Sequence, residues 1–179
     1  MELKDLRLCT PAQIEAAALI LSDTLWDDLD AARAEIKQRL SEDTIYCAAL
    51  EGETVLGLGG LLKQYDGYAY ELHPLAVAKA VQGQGVGSAL LRELEHLARA
   101  AGAMTIYLGT DDDRKDVQTS FSGIDLYADL PERLRTFRPN RHPSAFYLKN
   151  GYQVVGVIPD ANGIGKPDIF MAKRIARKE

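Results

Sequence analysis

The sequence predicts an α/β protein of the α+β kind, with a mixed, mostly antiparallel twisted sheet of about seven strands flanked by helices. Three observations predict it. Seven β-rich stretches and five helical ones follow one another as β-α-α-β-β-β-α-β-α-α-β-β, which suits this architecture better than a doubly wound parallel sheet. No repeat, low-complexity tract or Pro/Gly/Ser-rich linker interrupts the chain, so residues 1–179 read as a single domain. Finally, 179 residues with 46% hydrophobic and 26% charged side chains suffice for one core that buries roughly 70% of the unfolded surface.

The elements follow in order. Residues 3–8 read as a strand. Thr10-Pro11 then supplies an N-cap and a proline at the first helical position, with Gln13 placed to complete a capping box. Ile14, Ala18, Leu21 and Leu25 continue at helical spacing. A second helix spans 31–40, capped by Asp30. The period then changes: 44–50 and 54–63 are strands joined through Glu51-Gly52-Glu53 as a hairpin. Gly57, Gly59 and Gly60 mark a bulge or a close backbone approach in the second of them. After a turn at 64–69, strand 70–77 leads through Gly83, Gly85 and Gly87 into a helix over 88–101. Leu90, Leu94 and Leu97 line one face of that helix, and Gly102 stops it. Strand 105–110 precedes a stretch, 111–141, too long for a plain connection, with a helix near 125–136. A short helix over 143–150 and strands at 153–158 and 168–174 close the chain, with loop 159–166 between the strands.

Composition excludes several classes. No apolar run approaches the ~20 residues of a membrane span. The opening Met1-Glu2-Leu3-Lys4-Asp5 lacks a basic-then-apolar leader, so no membrane association and a cytoplasmic location are expected. Cys9 and Cys47 have neither a disulfide framework nor metal-ligand spacing and read as buried thiols; no metal is expected. A net charge of −5 argues against a nucleic-acid partner. Acids are clustered at Asp23, Asp27, Asp28 and Asp30, and 111–132 carries seven acids against two bases. The tail 133–179 reverses this with ten bases and three acids. Such patches are either solvated faces or sites for a cationic ligand.

The most informative segment joins strand 70–77 to the helix after it. Alternate glycines at 83, 85 and 87 remove Cβ atoms, so backbone N–H groups can converge at the helix's positive end. That makes an anion site suited to a diphosphate, or simply a tight turn needing glycine torsions. It is neither a P-loop nor G-x-G-x-x-G. Gln82-x-x-Gly85-x-Gly87 after a strand resembles the coenzyme A signature of the GNAT superfamily of N-acetyltransferases. Further segments narrow the likeness: Tyr70-Glu71-Leu72-His73-Pro74-Leu75-Ala76-Val77, Thr105-Ile106-Tyr107-Leu108-Gly109-Thr110-Asp111-Asp112, Phe146-Tyr147-Leu148-Lys149-Asn150-Gly151-Tyr152, and Ile158-Pro159-Asp160-Ala161-Asn162-Gly163 with Lys166-Pro167-Asp168-Ile169. Together they resemble aminoglycoside 6'-N-acetyltransferases of the enterococcal chromosomal type. The likeness is dense from Tyr70 to Arg174 and thinner before it.

In an unbroken strand, alternation puts Glu71, His73, Leu75 and Val77 on one face. The resemblance implies a splayed strand here, with pantetheine pairing to the backbone of Leu75, Ala76 and Val77, and the Leu75 N–H donating to the thioester carbonyl. It implies acetyl-CoA as co-substrate, held by Gln82, Gly83, Gln84, Gly85, Val86, Gly87 and Ser88. Gln82 and Gln84 are uncharged, so the amides and the helix end would bear the diphosphate. Glu71 is the candidate to take the substrate's proton, or to bind the cationic amine; His73 either shares in the chemistry or hydrogen-bonds the strand. His96 and His142 read as structural. Tyr147 resembles the tyrosine near the sulfur, where it would protonate or hydrogen-bond the thiolate, with core packing beside Phe146 and Tyr152 as the other reading. Neither cysteine sits in a matching position for a covalent relay, so direct attack by the amine is expected.

The implied acceptor is an aminoglycoside, a polycation whose cleft would be lined by Trp26, Asp27, Tyr65, Glu71, Asp111, Asp112 and Asp168; for Trp26, packing at a helix end is an alternative. The acidic bias would concentrate such a cation in a salt-dependent way. The family also implies a homodimer and a role in antibiotic resistance. Ser144 and Ala145 are small where an aromatic and a carboxylate would be expected, and the segment 113–119, with Arg114 and Lys115, departs from the pattern. Another amine acceptor, a polyamine or a protein, and a non-catalytic acyl-CoA-binding module are the alternatives.

Overall fold

The computed structural model describes residues 1–41 and 43–176, which form two compact units: Met1–Ile106 together with the chain from Ile175, and Tyr107–Arg174. The seven strands are β1 (Glu2–Asp5), β2 (Thr44–Glu51), β3 (Thr54–Gln64), β4 (Ala69–Val77), β5 (Thr105–Asp111), β6 (Gln153–Ile158) and β7 (Asp168–Arg174). Their hydrogen-bonded order is β1-β2-β3-β4-β5-β7-β6. The pairs β1–β2, β2–β3, β3–β4 and β6–β7 are antiparallel, so the mostly antiparallel seven-stranded sheet expected from the sequence is what forms.

In the first unit, the opening strand ends at Asp5 instead of running to Leu8. The Asp5 carboxylate accepts from Arg7 N at 2.8 Å and turns Leu6–Leu8 into a 3-10 helix that drives Leu6 into the core. Helix α1 (Pro11–Leu21) starts with the complete Thr10/Gln13 capping box. Its continuation is a π turn, Ser22–Trp26, in which Asp27 N donates to Ser22 O at 3.0 Å. The π turn advances the helix phase by one residue. Leu25, expected to face inward, is therefore exposed, and Trp26 is half-buried in its stead.

Helix α2 (Leu29–Ser41) is capped by Asp28, not Asp30: Asp28 Oδ1 accepts from Asp30 N at 2.9 Å and Ala31 N at 3.1 Å. Asp30 instead pairs with Arg33 at 2.9 Å, and Asp23 with Lys79 at 2.8 Å. Most of the first acidic cluster thus serves local structure. Helices α1 and α2 pack on the sheet face carrying Tyr46, Ala48, Leu50 and Leu58. Helix α3 (Val86–Ala100) covers the other face with Leu90, Leu91, Leu94 and Ala98, all buried. Leu97, expected among them, is only partly covered.

The glycines of β3 take the role expected of them. The β3–β4 register passes from Gly59↔Leu75 to Leu61↔Leu72, so His73 and Pro74 together face the single Gly60 across a bulge. The peptide bond between them is cis. Gly60 is forced by its other neighbour: a Cβ there would lie 2.0 Å from the Tyr46 ring.

In the second unit, the long helix expected near 125–136 is only α4 (Leu130–Arg135). Residues before it are organised by turns instead, with Gly123 at φ +73° and Tyr127 N bonded to the Asp125 side chain at 2.9 Å. Helix α5 (Ser144–Lys149) is one residue shorter at each end than expected; β6 and β7 match their expected limits.

Candidate active site

The turn after β4 leaves its backbone bare. Gly83 and Gly85 have φ of +77° and +90°, and a Cβ added at either would meet nothing within 4 Å. The torsions demand glycine, and the space above the backbone is open to a ligand. Gly85 is the N-cap of α3 and no side chain caps the helix, so the first-turn N–H groups of Val86, Gly87 and Ser88 face outward at its positive end. The neighbouring glutamines brace the turn: Gln82 Nε2 donates to Val77 O at 3.0 Å, and Gln84 Nε2 to Ala80 O at 3.2 Å. Their side chains hold the loop's shape, leaving anion contacts to the amides.

Strand β4 feeds directly into that turn. Along it Leu72, Pro74 and Ala76 are buried and Glu71, His73, Leu75 and Val77 half-buried, but they do not share the one face that an unbroken strand would give them. The bulge reverses the alternation, so Glu71 and His73 lie on the α1/α2 side and Leu75 and Val77 on the α3 side, where Cβ atoms on their partners Gly59 and Gly57 would meet Leu94 and Leu90. A carboxylate, an imidazole and the backbone of 75–77 thus lie in line with the glycine turn. Trp26 comes to this face edge-on, its ring centroid 5.8 Å from that of His73 at 82°. His73 Nε2 in turn lies 3.4 Å from Glu35 of α2. Sequence reading had no role for Glu35, although its spacing four residues before Arg39 was a visible signal.

Asp27 and Tyr65 share an unusual backbone. Their φ values are +52° and +47°, and Asp66 follows Tyr65 at +55°. A left-handed conformation in an exposed tyrosine is strained, and such strain gathers at ligand-binding loops.

In the second unit, burial pushes the Tyr147 hydroxyl up to about 12, so it stays protonated at neutral pH. Its ring packs edge-on against Phe146 at 5.1 Å and Tyr152 at 5.8 Å. Asp111 is exposed at the end of β5 and accepts from Asn162 Nδ2 at 2.6 Å. Its carbonyl accepts from His142 Nε2 at 2.9 Å, while Ser144 N and Oγ lie 3.2 and 3.0 Å from Nδ1. His142 is buried and structural, as expected. The Asp168 carboxylate lies over Gly109, where a Cβ would sit 2.8 Å from Oδ2; a side chain at 109 would displace it.

Asp112 corrects its expected place in the acceptor cleft. It is 1% exposed and both its oxygens accept from Thr119 N at 3.2 Å, with Thr119 Oγ1 at 2.5 Å. The carboxylate is committed to folding its own loop. Asp112→Ala is therefore expected to lower stability by about 2 kcal/mol, since it strands buried donors. Urea unfolding measures this, and the KM for a cationic acceptor should stay within twofold or so once the protein is folded.

Both thiols are raised, Cys47 to about 12, chiefly by burial, so neither offers a thiolate at neutral pH. Among the described residues no group of three or more His, Cys, Asp or Glu could hold a metal ion, and no helix is long and apolar enough to cross a membrane.

A turn of bare amides thus follows directly on a strand bearing a carboxylate and an imidazole. The chain belongs to the acetyltransferase (GNAT) family, whose model matches residues 14–128. It is similar over its whole length to a crystal structure of an aminoglycoside 6'-N-acetyltransferase complexed with coenzyme A (33% identity, TM-score 0.94, covering 100% of this chain and 99% of that one). The aminoglycoside 6'-N-acetyltransferase from Enterococcus faecium gives 33% identity and a TM-score of 0.93 with the same coverage. Among curated proteins, N-alpha-acetyltransferase RimI of Mycobacterium tuberculosis (strain ATCC 25618 / H37Rv) is 34% identical over 104 residues, 57% of this chain and 62% of that protein. The chain thus spans about three-fifths of that curated relative's length.

Proposed function

We propose that the protein transfers acetyl from acetyl-CoA to the 6'-amine of aminoglycosides by direct attack, conferring resistance on its host. The observation that carries this reading is the end-to-end likeness to two 6'-N-acetyltransferase structures, joined to a carboxylate and imidazole side by side on β4. In this reading the amides of 83–88 grip the diphosphate and the backbone of Leu75, Ala76 and Val77 aligns the pantetheine arm. The Leu75 N–H donates to the thioester oxygen as charge develops on it. Glu71 takes the proton that the attacking ammonium must lose. Tyr147, raised well above the ~8.5 of a free thiol, serves the departing sulfur as a hydrogen-bond donor rather than by giving up its proton.

Trp26, Asp27, Tyr65, Asp111 and Asp168 are the proposed acceptor contacts. The left-handed backbones at 27 and 65 and the exposure of Asp111 support this set. Asp112 drops out of it. We also place the protein in the cytoplasm as a homodimer.

The test is thiol release with acetyl-CoA and kanamycin or tobramycin, with NMR of the product to locate the acetyl group. Turnover is expected at the 6' nitrogen; no turnover above background with any 6'-amino aminoglycoside would sink the substrate assignment. The RimI relative favours one rival, a protein N-terminal amine, so a peptide and a polyamine belong in the same panel. Tight coenzyme binding with no turnover on any amine would instead favour a non-catalytic acyl-CoA module.

A further inference from the structure

We infer that Glu35 is a positioning residue: it fixes the tautomer of His73, so that Nδ1 is the nitrogen presented to the acceptor's ammonium beside Glu71. The kinetic half of this inference rests on the function proposed above; the tautomer half does not.

Glu35 sits in the middle of α2 with its side chain only 14% exposed. Its Oε1 accepts from Arg39 Nε at 2.8 Å and lies 3.4 Å from His73 Nε2. A carboxylate oxygen held by arginine has no hydrogen to offer, so the nitrogen facing it must carry one. In the neutral ring the other nitrogen, Nδ1, is then the acceptor. Trp26, edge-on at 5.8 Å, restricts the ring plane from the π turn. On the β3 side His73 lies at the bulge opposite Gly60, and Glu71 is two residues before it on β4. The imidazole side chain is 40% exposed against 14% for Glu35, so part of the ring is within reach of a ligand while Nε2 lies against α2.

The arrangement divides the work. A polycationic acceptor brings an ammonium with three N–H bonds. One goes to Glu71 as the proton to be removed, and a second can donate to His73 Nδ1, which orients the nitrogen for attack. The opposite tautomer would present an N–H to that ammonium, and the contact would be repulsive. Glu35 excludes it without touching substrate.

The chain has three histidines, at 73, 96 and 142, so long-range 15N–1H correlation spectra resolve every ring. Wild-type His73 is expected as Nε2–H, like His142, whose Nε2 donates to a carbonyl. Glu35→Leu is expected to return His73 to a mixture of tautomers, and Glu35→Gln, which keeps an oxygen at the same position, to preserve Nε2–H. In kinetics, Glu35→Leu should raise the acceptor KM about tenfold, within the coupling range of contacting side chains, and leave the acetyl-CoA KM unchanged. Glu35→Gln should stay within about twofold, and in a His73→Ala background Glu35→Leu should add nothing. A wild-type Nδ1–H ring, or effects of the two substitutions that multiply independently, would overturn the inference. Should no amine be acetylated, the substrate assignment falls, and the tautomer of His73 alone decides the role of Glu35.

Discussion

Gly85→Val is expected to leave the fold standing and to weaken acetyl-CoA binding about 100-fold, equivalent to losing one or two charge-assisted hydrogen bonds to phosphate. Two effects combine. A β-branched residue does not hold φ +90°, so the N-cap relaxes and the first-turn amides of α3 lose their convergence. The new side chain also projects into the open space over the turn, where nothing of the protein lies within 4 Å. Because that space is open, the cost to folding is only the backbone strain, about 1–2 kcal/mol. Calorimetric titration with coenzyme A and a melting curve separate the two. Unchanged affinity in a folded Gly85→Val protein would remove the turn as the phosphate site.

Glu71→Gln is the second large effect. It keeps size and hydrogen-bonding shape but can neither accept a proton nor match a cation's charge. A loss in kcat/KM of about 10²- to 10⁴-fold is expected if Glu71 acts as general base. The split identifies the role: a fall in kcat at constant acceptor KM marks proton removal, and a rise in KM at constant kcat marks binding alone. Acetyl-CoA affinity should be unchanged in either case, since the phosphate turn lies beyond the other end of β4. A variant with wild-type kcat/KM would exclude both roles.

Much of this is legible in the amino-acid sequence alone. The capping box at Thr10, the hairpin at 51–54, the bulge near Gly60, the stop at Gly102 and the limits of β6 and β7 rest on local chemistry, which the chain carries wherever it goes. So does the glycine turn, because missing Cβ atoms are a property of a short segment; the common face expected for Glu71, His73, Leu75 and Val77 is broken by the bulge, which simple alternation does not register. The errors share a cause. Leu25 was misplaced because a π turn shifts phase with no marker in the hydrophobic pattern. Asp28 and Asp30 both suit an N-cap, and only the helix's actual first residue decides between them.

What the sequence determined by itself was therefore the family, the turn that suits a diphosphate, and the strand that carries the carboxylate. Tertiary structure decided which acids are available to a ligand. Asp112 folds inward onto Thr119 while its neighbour Asp111 stays outside, and Glu35, 38 residues from His73 in sequence, comes within 3.4 Å of it. The physical reason is that a carboxylate's partner is set by desolvation and by what packing brings close, and neither is encoded in spacing along the chain.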